Sequence, residues 1–285
     1  MKIRNLCCHR DLDIAIRCLN SLSIYLEEEF QLLIHDDGSL TESDIASIYR
    51  QVPDSAVIRR AEVDTMLDDT VLYRYPHLRK MRRALPYFLK IVDVVLVDAD
   101  SVIRFVDSDV LFFRPFKDAF CSHNEYDACF MLDARSCYGF RAKDYWPLGP
   151  VKPVRRVNSG MFWIRRECLD FEWIEWVCAR CGLDQVVAAK SWFEQGLWAA
   201  IAGRCKCQMF DPRQICTAED QKAVPPAPVA LHFNGPSRQI FDDYAKGQEN
   251  PITDVEQIQT VPSQTYSLRK YALDAIEFRL ARAFG

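Results

Sequence analysis

Two carboxylates stand between apolar runs in the segment RFVDSDVLFFRP, residues 104–115. Aspartate is seldom fully buried without a partner or a cation. Isolating an ionised carboxylate from water is very costly. Asp107 and Asp109 must therefore reach solvent, meet cationic side chains or hold a metal ion. Oxygen donors suit hard cations such as magnesium, and an added imidazole widens the choice toward manganese. His232 in PVALHFNG offers such an imidazole. A metal held this way can neutralise a departing diphosphate, and that chemistry needs basic side chains nearby. Lys80, Arg82 and Arg83 precede the apolar run, and Arg238 follows His232.

A second acidic pair, Asp98 and Asp100 in VLVDADSV, also follows apolar residues. It ranks lower, because DADS reads as a link between a helix and the next strand, and only Asp107 and Asp109 are followed by VLFF. The twelve cysteines sit mostly in apolar stretches, where a free thiol behaves as a small hydrophobe. Cys178, Cys181, Cys205 and Cys207 have the CxxC and CxC spacing of zinc ligands. Cys178 and Cys181 fall inside a helical pattern without a turn, so packing is the preferred reading for all four. A disulfide framework is not expected without an export signal. His9, His35, His77 and His123 are read as structural or solvated.

Positioning these groups requires a scaffold. KIRNLCC, FQLLIH, AVIRR and SVIRFV read as strands, separated by helical patterns in DLDIAIRCLNSLSIYL, with Asp11 as N-cap, and in the stretch after DDGSLTESD, with Thr41 and Asp44 at its start. YPHLRKMRRALPYFLKIV is a basic helix interrupted by Pro86. Such alternation implies βαβ units and a mostly parallel sheet covered on both faces. YDACFML, VNSGMFWIRR and PVALHFNG add strands, and CLDFEWIEWVCARC and SWFEQGLWAAIAG add helices. Trp173 and Trp176 are expected to face the core, as is Trp163. The aromatic, Pro- and Gly-rich residues 134–156 read as an ordered binding loop, with Trp146 placed to stack on a sugar or to pack the loop down. The last residues, YSLRKYALDAIEFRLARAFG, read as a helix that docks on the domain, with a second copy or an anionic membrane face as alternatives.

The 285 residues, 49% hydrophobic and 27% charged, are ordinary for a globular chain. A net charge of -4 argues against a general nucleic-acid binder. No apolar run has the length of a membrane span, and the start lacks a signal-peptide core, so a cytoplasmic location is the expectation. No GxGxxG follows the first strand, which disfavours a dehydrogenase.

Taken together, HDDGSLT, FVDSDVLFFRP, VNSGMFWI, FEQGLW and LHFNGPSR resemble the nucleotide-sugar glycosyltransferases of the GT-A fold. The layout is most similar to the retaining family-eight enzymes. The resemblance implies a Rossmann-like α/β fold, with residues 1–250 as the catalytic domain and 251–285 as a C-terminal helical extension. It implies a hexosyltransferase-like activity, a UDP-sugar donor and a sugar, lipid-linked or protein acceptor, as in surface polysaccharide or glycolipid assembly. It further implies that Asp107, Asp109 and His232 bind manganese (or magnesium). Asp36, Asp37, Lys80, Arg83, Ser108, Asn158, Ser159 and Arg238 would then contact the donor, and Glu194 and Gln195 would lie at the reacting carbon. Arg238 stands where the family carries a Lys-Pro-Trp, and Glu194 where Asp is usual. Two alternatives stay open: a metal-dependent phosphatase with Asp107 as nucleophile, and a non-catalytic nucleotide-sugar binder.

Overall fold

The structure, a computed structural model, describes residues 1–68, 70–122, 125–136, 138–140, 153–189, 191–219, 224–246, 254–267, 269–271, 273, 274 and 276. Trp146, His123 and the chain beyond 276 lie outside the described residues.

The chain opens with β1 (Lys2–Cys7), α1 (Leu12–Tyr25), β2 (Gln31–Asp36), α2 (Glu42–Gln51), β3 (Ser55–Ile58) and α3 (Arg60–Leu67). Helix α2 starts at a capping box, in which Thr41 accepts from the Asp44 N–H and Asp44 accepts from the Thr41 N–H. Asp11 precedes α1 without capping it; its carboxylate turns instead to Arg10 and Arg238. Pro86 divides the basic stretch into α4 (Pro76–Ala84) and a 3-10 turn, Pro86–Lys90, as a ring without an N–H must. Next come α5 (Asp93–Leu96), β4 (Val102–Val106), β5 (Val110–Phe112), β6 (Phe116–Lys117), β7 (Ala128–Leu132) and β8 (Val157–Arg165). The rest contains α6 (Phe171–Cys181), α7 (Leu183–Ala189), α8 (Ser191–Ala202), β9 (Cys207–Phe210), β10 (Ile215–Thr217), β11 (Ala230–His232), α9 (Phe241–Lys246), β12 (Glu256–Gln257) and β13 (Thr260–Pro262).

Eight strands form the main sheet in the order β13-β9-β7-β8-β4-β1-β2-β3. Pairings β4-β1, β1-β2, β2-β3 and β7-β9 are parallel, while β8 runs against both neighbours and β13 against β9. The architecture is thus α/β with a mixed, mostly parallel sheet. Side-chain alternation splits the core in two. Ile103, Phe105, Phe162 and Ile164 face the layer of α4, α6 and α8. Val102, Val106, Met161 and Trp163 face the layer of α1 and α2. A smaller sheet, β10-β11-β5, stands beside the exit of β4.

Two expectations are corrected. Trp176 is exposed, because Ile174, Val177, Cys178 and Cys181 form the buried stripe of α6, whereas Trp173 packs half-buried against the core with Arg204 over its ring. Residues 256–262 are not helical: β12 pairs with β6, and β13 extends the main sheet. Beyond them Tyr266 and Tyr271 are buried, and Tyr271 Oη donates to Phe140 O at 2.8 Å, so this part of the tail docks on the domain.

Candidate active site

In an open α/β sheet the carboxyl ends of parallel strands share one edge, where ligands gather. At that edge lies a cleft of about 1280 Å³, lined among others by Asp37, Lys90, Asp107, Asp109, Glu194 and His232. Strand β4 ends at Val106. The Asp107 N–H then donates to Gly160 O at 2.6 Å, and Ser108 Oγ donates to Leu6 O at 2.8 Å. These bonds fix the turn between β8 and β1. Strand β5 follows and pairs antiparallel with β11, with Val110 opposite His232. That register carries the histidine to the aspartates.

His232 Nε2 is 3.0 Å from Asp109 Oδ1 and 3.7 Å from Asp107 Oδ2. On the other side, Nδ1 is 2.9 Å from Asn158 Oδ1. The amide orientation follows from its partners. Asn158 Nδ2 donates to Asp133 Oδ2, and Asn158 Oδ1 also accepts the Gly160 N–H at 2.8 Å. An amide oxygen can only accept, so Nδ1 carries the hydrogen. Nε2 faces the carboxylates: burial opposes a proton there, but Asp109 and Asp107 outweigh it and raise the ring above its ordinary range, and this same nitrogen, once deprotonated, could ligate a metal. Oxygens of Asp107 and Asp109 and a His232 nitrogen lie within 4.8 Å of one another, so the donor set fits a divalent cation. Gly160 makes room for it: a Cβ there would meet His232 Nδ1 at 2.4 Å.

Two cations border this group. Arg238, on the turn after Gly235, donates Nε and Nη2 to Asp109 Oδ2 at 3.0 and 2.6 Å, and Nη1 to Asp11. Lys90 Nζ lies 2.9 Å from Asp107 and 3.7 Å from Glu194, above the Phe105 ring. Burial works against the Lys90 charge, but Asp107 and Glu194 outweigh it and hold the ammonium above its ordinary range. Burial likewise opposes the Asp109 charge, yet His232 and Arg238 bring its carboxyl down to about 2. Lys80 and Arg83 are not in the cleft. They border a separate surface hollow with Leu72 and Tyr73, and Arg83 pairs with Asp68. Arg82 is buried on Asp93 and Asp64. Helix α4 points these residues away, whereas the break at Pro86 turns Lys90 inward. A lysine inside the apolar run YFLKIV was the signal for it.

A third set lines the cleft beside Lys90. Ser159 Oγ donates to Glu194 at 3.2 Å, and Gln195 Nε2 donates to Asp133 Oδ2 at 3.0 Å. Helix α8 is anchored by Trp198 against Phe162 and by Phe193 against Phe88, which ties Glu194 to the turn bearing Lys90. Burial raises the Glu194 carboxyl to about 7, with Lys90 opposing. Asp133 Oδ1 and Glu194 Oε1 are buried with no hydrogen-bond partner among the described residues, though Glu194 Oε1 has the Lys90 ammonium 3.7 Å away. Such oxygens are costly unless a ligand supplies the donor.

No family model matches the sequence, and no curated protein matches it. Solved structures do. An active-site mutant of LgtC superposes with a TM-score of 0.51 at 12% identity, over 92% of this chain and 98% of that one. Mouse xyloside xylosyltransferase 1 superposes at 0.52 and 12% identity, over 82% and 98%. The fold is GT-A.

In this GT-A frame the other expected site residues separate. Asp37 lines the cleft, with its carboxylate on Ser39. Asp36 is a turn residue: it accepts from the Gly38 and Leu40 N–H groups, around a glycine at φ 100°. Asp98 and Asp100 sit before β4, at the opposite edge, and pair with Lys2 and Arg4. Cys178 and Cys181 pack in the core of α6, apart from Cys205, whose neighbours are Cys168 and Asp127. No helix among the described residues is long and apolar enough to cross a membrane.

Proposed function

We propose that this chain is a glycosyltransferase that moves a sugar from a nucleoside diphosphate sugar, with UDP as the default nucleotide, to a hydroxyl of a sugar, lipid-linked or protein acceptor. One observation carries the reading. A single cleft joins the carboxylate–imidazole group, through Lys90, to Glu194 and Asp133, whose buried Oε1 and Oδ1 have no hydrogen-bond partner among the described residues.

Asp107, Asp109 and His232 would hold manganese or magnesium. When bound, the metal would supply positive charge against the departing diphosphate. Lys90 places a fixed ammonium on the same side, and fixed charge needs no reorganisation as the leaving group develops. Arg238 can grip phosphate oxygens through the guanidinium edge now on Asp109. Asp37 faces the nucleotide end. Asp133, Glu194 and Gln195 offer acceptors and an amide to the sugar hydroxyls. The retaining outcome is our preference, taken from the sequence resemblance. In it the leaving phosphate takes the acceptor proton, and no strong general base is needed. An inverting reaction would need one of the two carboxylates as base.

The phosphatase alternative has less support, since Asp107 is bonded to Lys90 in a GT-A cleft. The test is calorimetry of UDP with manganese and with EDTA, followed by donor hydrolysis across a panel of nucleotide sugars. Tight binding only with metal, and hydrolysis of one donor, are expected. Equal UDP affinity in both buffers would sink the metal role. Phosphate release from simple monoesters, with no sugar donor consumed, would overturn the transferase reading.

A further inference from the structure

At the sheet edge opposite the cleft, four residues with soft or anionic side chains come together from three connections. Asp127 immediately precedes β7. Cys168 closes the 3-10 turn after β8, Cys205 lies between α8 and β9, and Cys207 opens β9. Pairing fixes their meeting: Ala128 is opposite Ile164 on one side and Cys207 on the other. Backbone bonds hold Asp127 in place, with its N–H on Lys206 O at 2.9 Å and its carbonyl accepting the Arg165 N–H at 2.8 Å. An Asp127 oxygen and the Cys168 and Cys205 sulfurs lie within 4.8 Å of one another. All three sulfurs border the same apolar core cluster.

We propose that Asp127, Cys168 and Cys205, with Cys207 as the candidate fourth donor, form a site for a borderline-soft divalent cation of the zinc class. Thiolate and carboxylate donors in a tetrahedral set select that class over magnesium or manganese. The Asp127 carboxylate accepts the Lys206 N–H through Oδ2 at 2.8 Å and lies 3.9 Å from Arg165 Nε, which leaves it lone pairs for a cation beside the two sulfurs, whereas a Cys168–Cys205 disulfide would use the sulfurs alone. A cation uses all of them. Each coordinating thiol gives its proton to solvent as the metal–sulfur bond forms. The site is structural. It clasps the connection leaving α8, the helix that presents Glu194 on the far side, to the ends of β8 and β9. Its ligands are separate from the cleft triad, so the inference does not depend on the proposed reaction.

Cobalt(II) is the probe, because thiolate ligation gives a charge-transfer absorption that oxygen and nitrogen ligands do not. The reduced, metal-stripped full chain should develop this band with about one equivalent of cobalt and lose it when zinc is added. Cys168→Ser and Cys205→Ser should each lose the band, while Asp107→Asn keeps it. If either serine variant fails to fold, alkylation mass spectrometry on the unmodified chain decides: zinc should slow labelling of Cys168 and Cys205 by ~10-fold or more, as bound thiolates are no longer free nucleophiles. No band in the reduced chain, a band that survives both substitutions, or labelling rates indifferent to zinc would each overturn the proposal. So would a Cys168–Cys205 disulfide in a chain that takes up no metal after reduction.

Discussion

Gly160 and His232 occupy space that cannot be shared: a Cβ on Gly160 would lie 2.4 Å from Nδ1 and 2.5 Å from Cε1 of the imidazole. The ring cannot retreat easily, since it is buried and held by Asn158. Gly160→Ala should therefore displace the histidine. Overpacking of this kind costs ~1–3 kcal/mol. Manganese affinity should fall ~10–100-fold, as when the supports of a metal ligand are disturbed. Paramagnetic resonance of free manganese, beside a thermal melt, measures both. A folded variant that binds manganese like the parent chain would remove His232 from the ligand set.

The two acidic pairs lie at opposite edges of the sheet, which separates their roles experimentally. Asp109→Asn should abolish manganese-dependent donor hydrolysis. Asp100→Asn should leave most of it, because Asp100 serves Arg4 and Lys2. Circular dichroism must show both folded. Equal loss in the two variants would mean that the position of Asp109 in the cleft does not decide its function.

The contrast between Lys80 and Lys90 shows what a sequence discloses. Strands such as VIRFV and MFWI are mostly apolar runs bounded by polar residues, so their existence, and the carboxylates that follow VIRFV, were legible. Strand direction was not: the pattern of β8 is the same whether it runs with β4 or against it. The short strands β9, β10, β12 and β13 are too brief to show a period and depend on partners distant in the chain. Lys80, Arg82 and Arg83 looked suitable because they precede the acidic pair, but three basic residues on one helix cannot all face one cleft. Only the tertiary turn at Pro86 selects Lys90. Asp133 belongs to none of the quoted motifs, and its ties to Asn158 and Gln195 join residues no linear motif connects.

Lys90→Met tests that selection. The substitution leaves Asp107 and Glu194 without their shared cation, and should lower turnover ~100-fold or more, the scale of losing one preorganised charge. Lys80→Met should change turnover less than twofold, a difference of ~0.4 kcal/mol in barrier. Initial rates at saturating donor are the measurement. Comparable losses in both variants would return the phosphate grip to α4.

Acid sensitivity should come from His35. Its ring is buried, neither nitrogen has a hydrogen-bond partner among the described residues, and burial, with Arg4 beside it, lowers its pKa to about 3. The folded value lies below the ordinary value of 6.5, so the fold favours the neutral ring. This contribution is complete above about pH 6.5 and is lost as pH falls toward about 3. Within that window one such group changes stability by up to ~1.4 kcal/mol per pH unit. Urea melts should show stability falling more steeply below pH 6.5 in the parent chain than in His35→Leu. Parallel slopes would assign the acid sensitivity elsewhere.

Glu194 opens the last comparison, because its structural and chemical roles predict opposite signs. A carboxylate in the first turn of a helix ordinarily adds ~0.3–1 kcal/mol through the dipole. Here the carboxyl is buried against Ser159 and Lys90, and burial raises it from 4.5 to about 7. A folded value above the unfolded one means that ionisation opposes folding, so stability is lost as pH rises from about 4.5 to about 7. Glu194→Gln removes that penalty and should melt no lower than the parent chain at slightly alkaline pH. If the carboxyl meets the donor sugar as the diphosphate departs, the same variant should lose ~100-fold in turnover, about 2.7 kcal/mol of barrier, with UDP affinity unchanged. Gln195→Ala should behave similarly, since Gln195 is one of the two amides that hold Asp133. A purely structural Glu194 would give the reverse, a lower melting temperature with near-normal turnover. Near-normal turnover in both variants would move the reacting centre to Asp133 and Asn158.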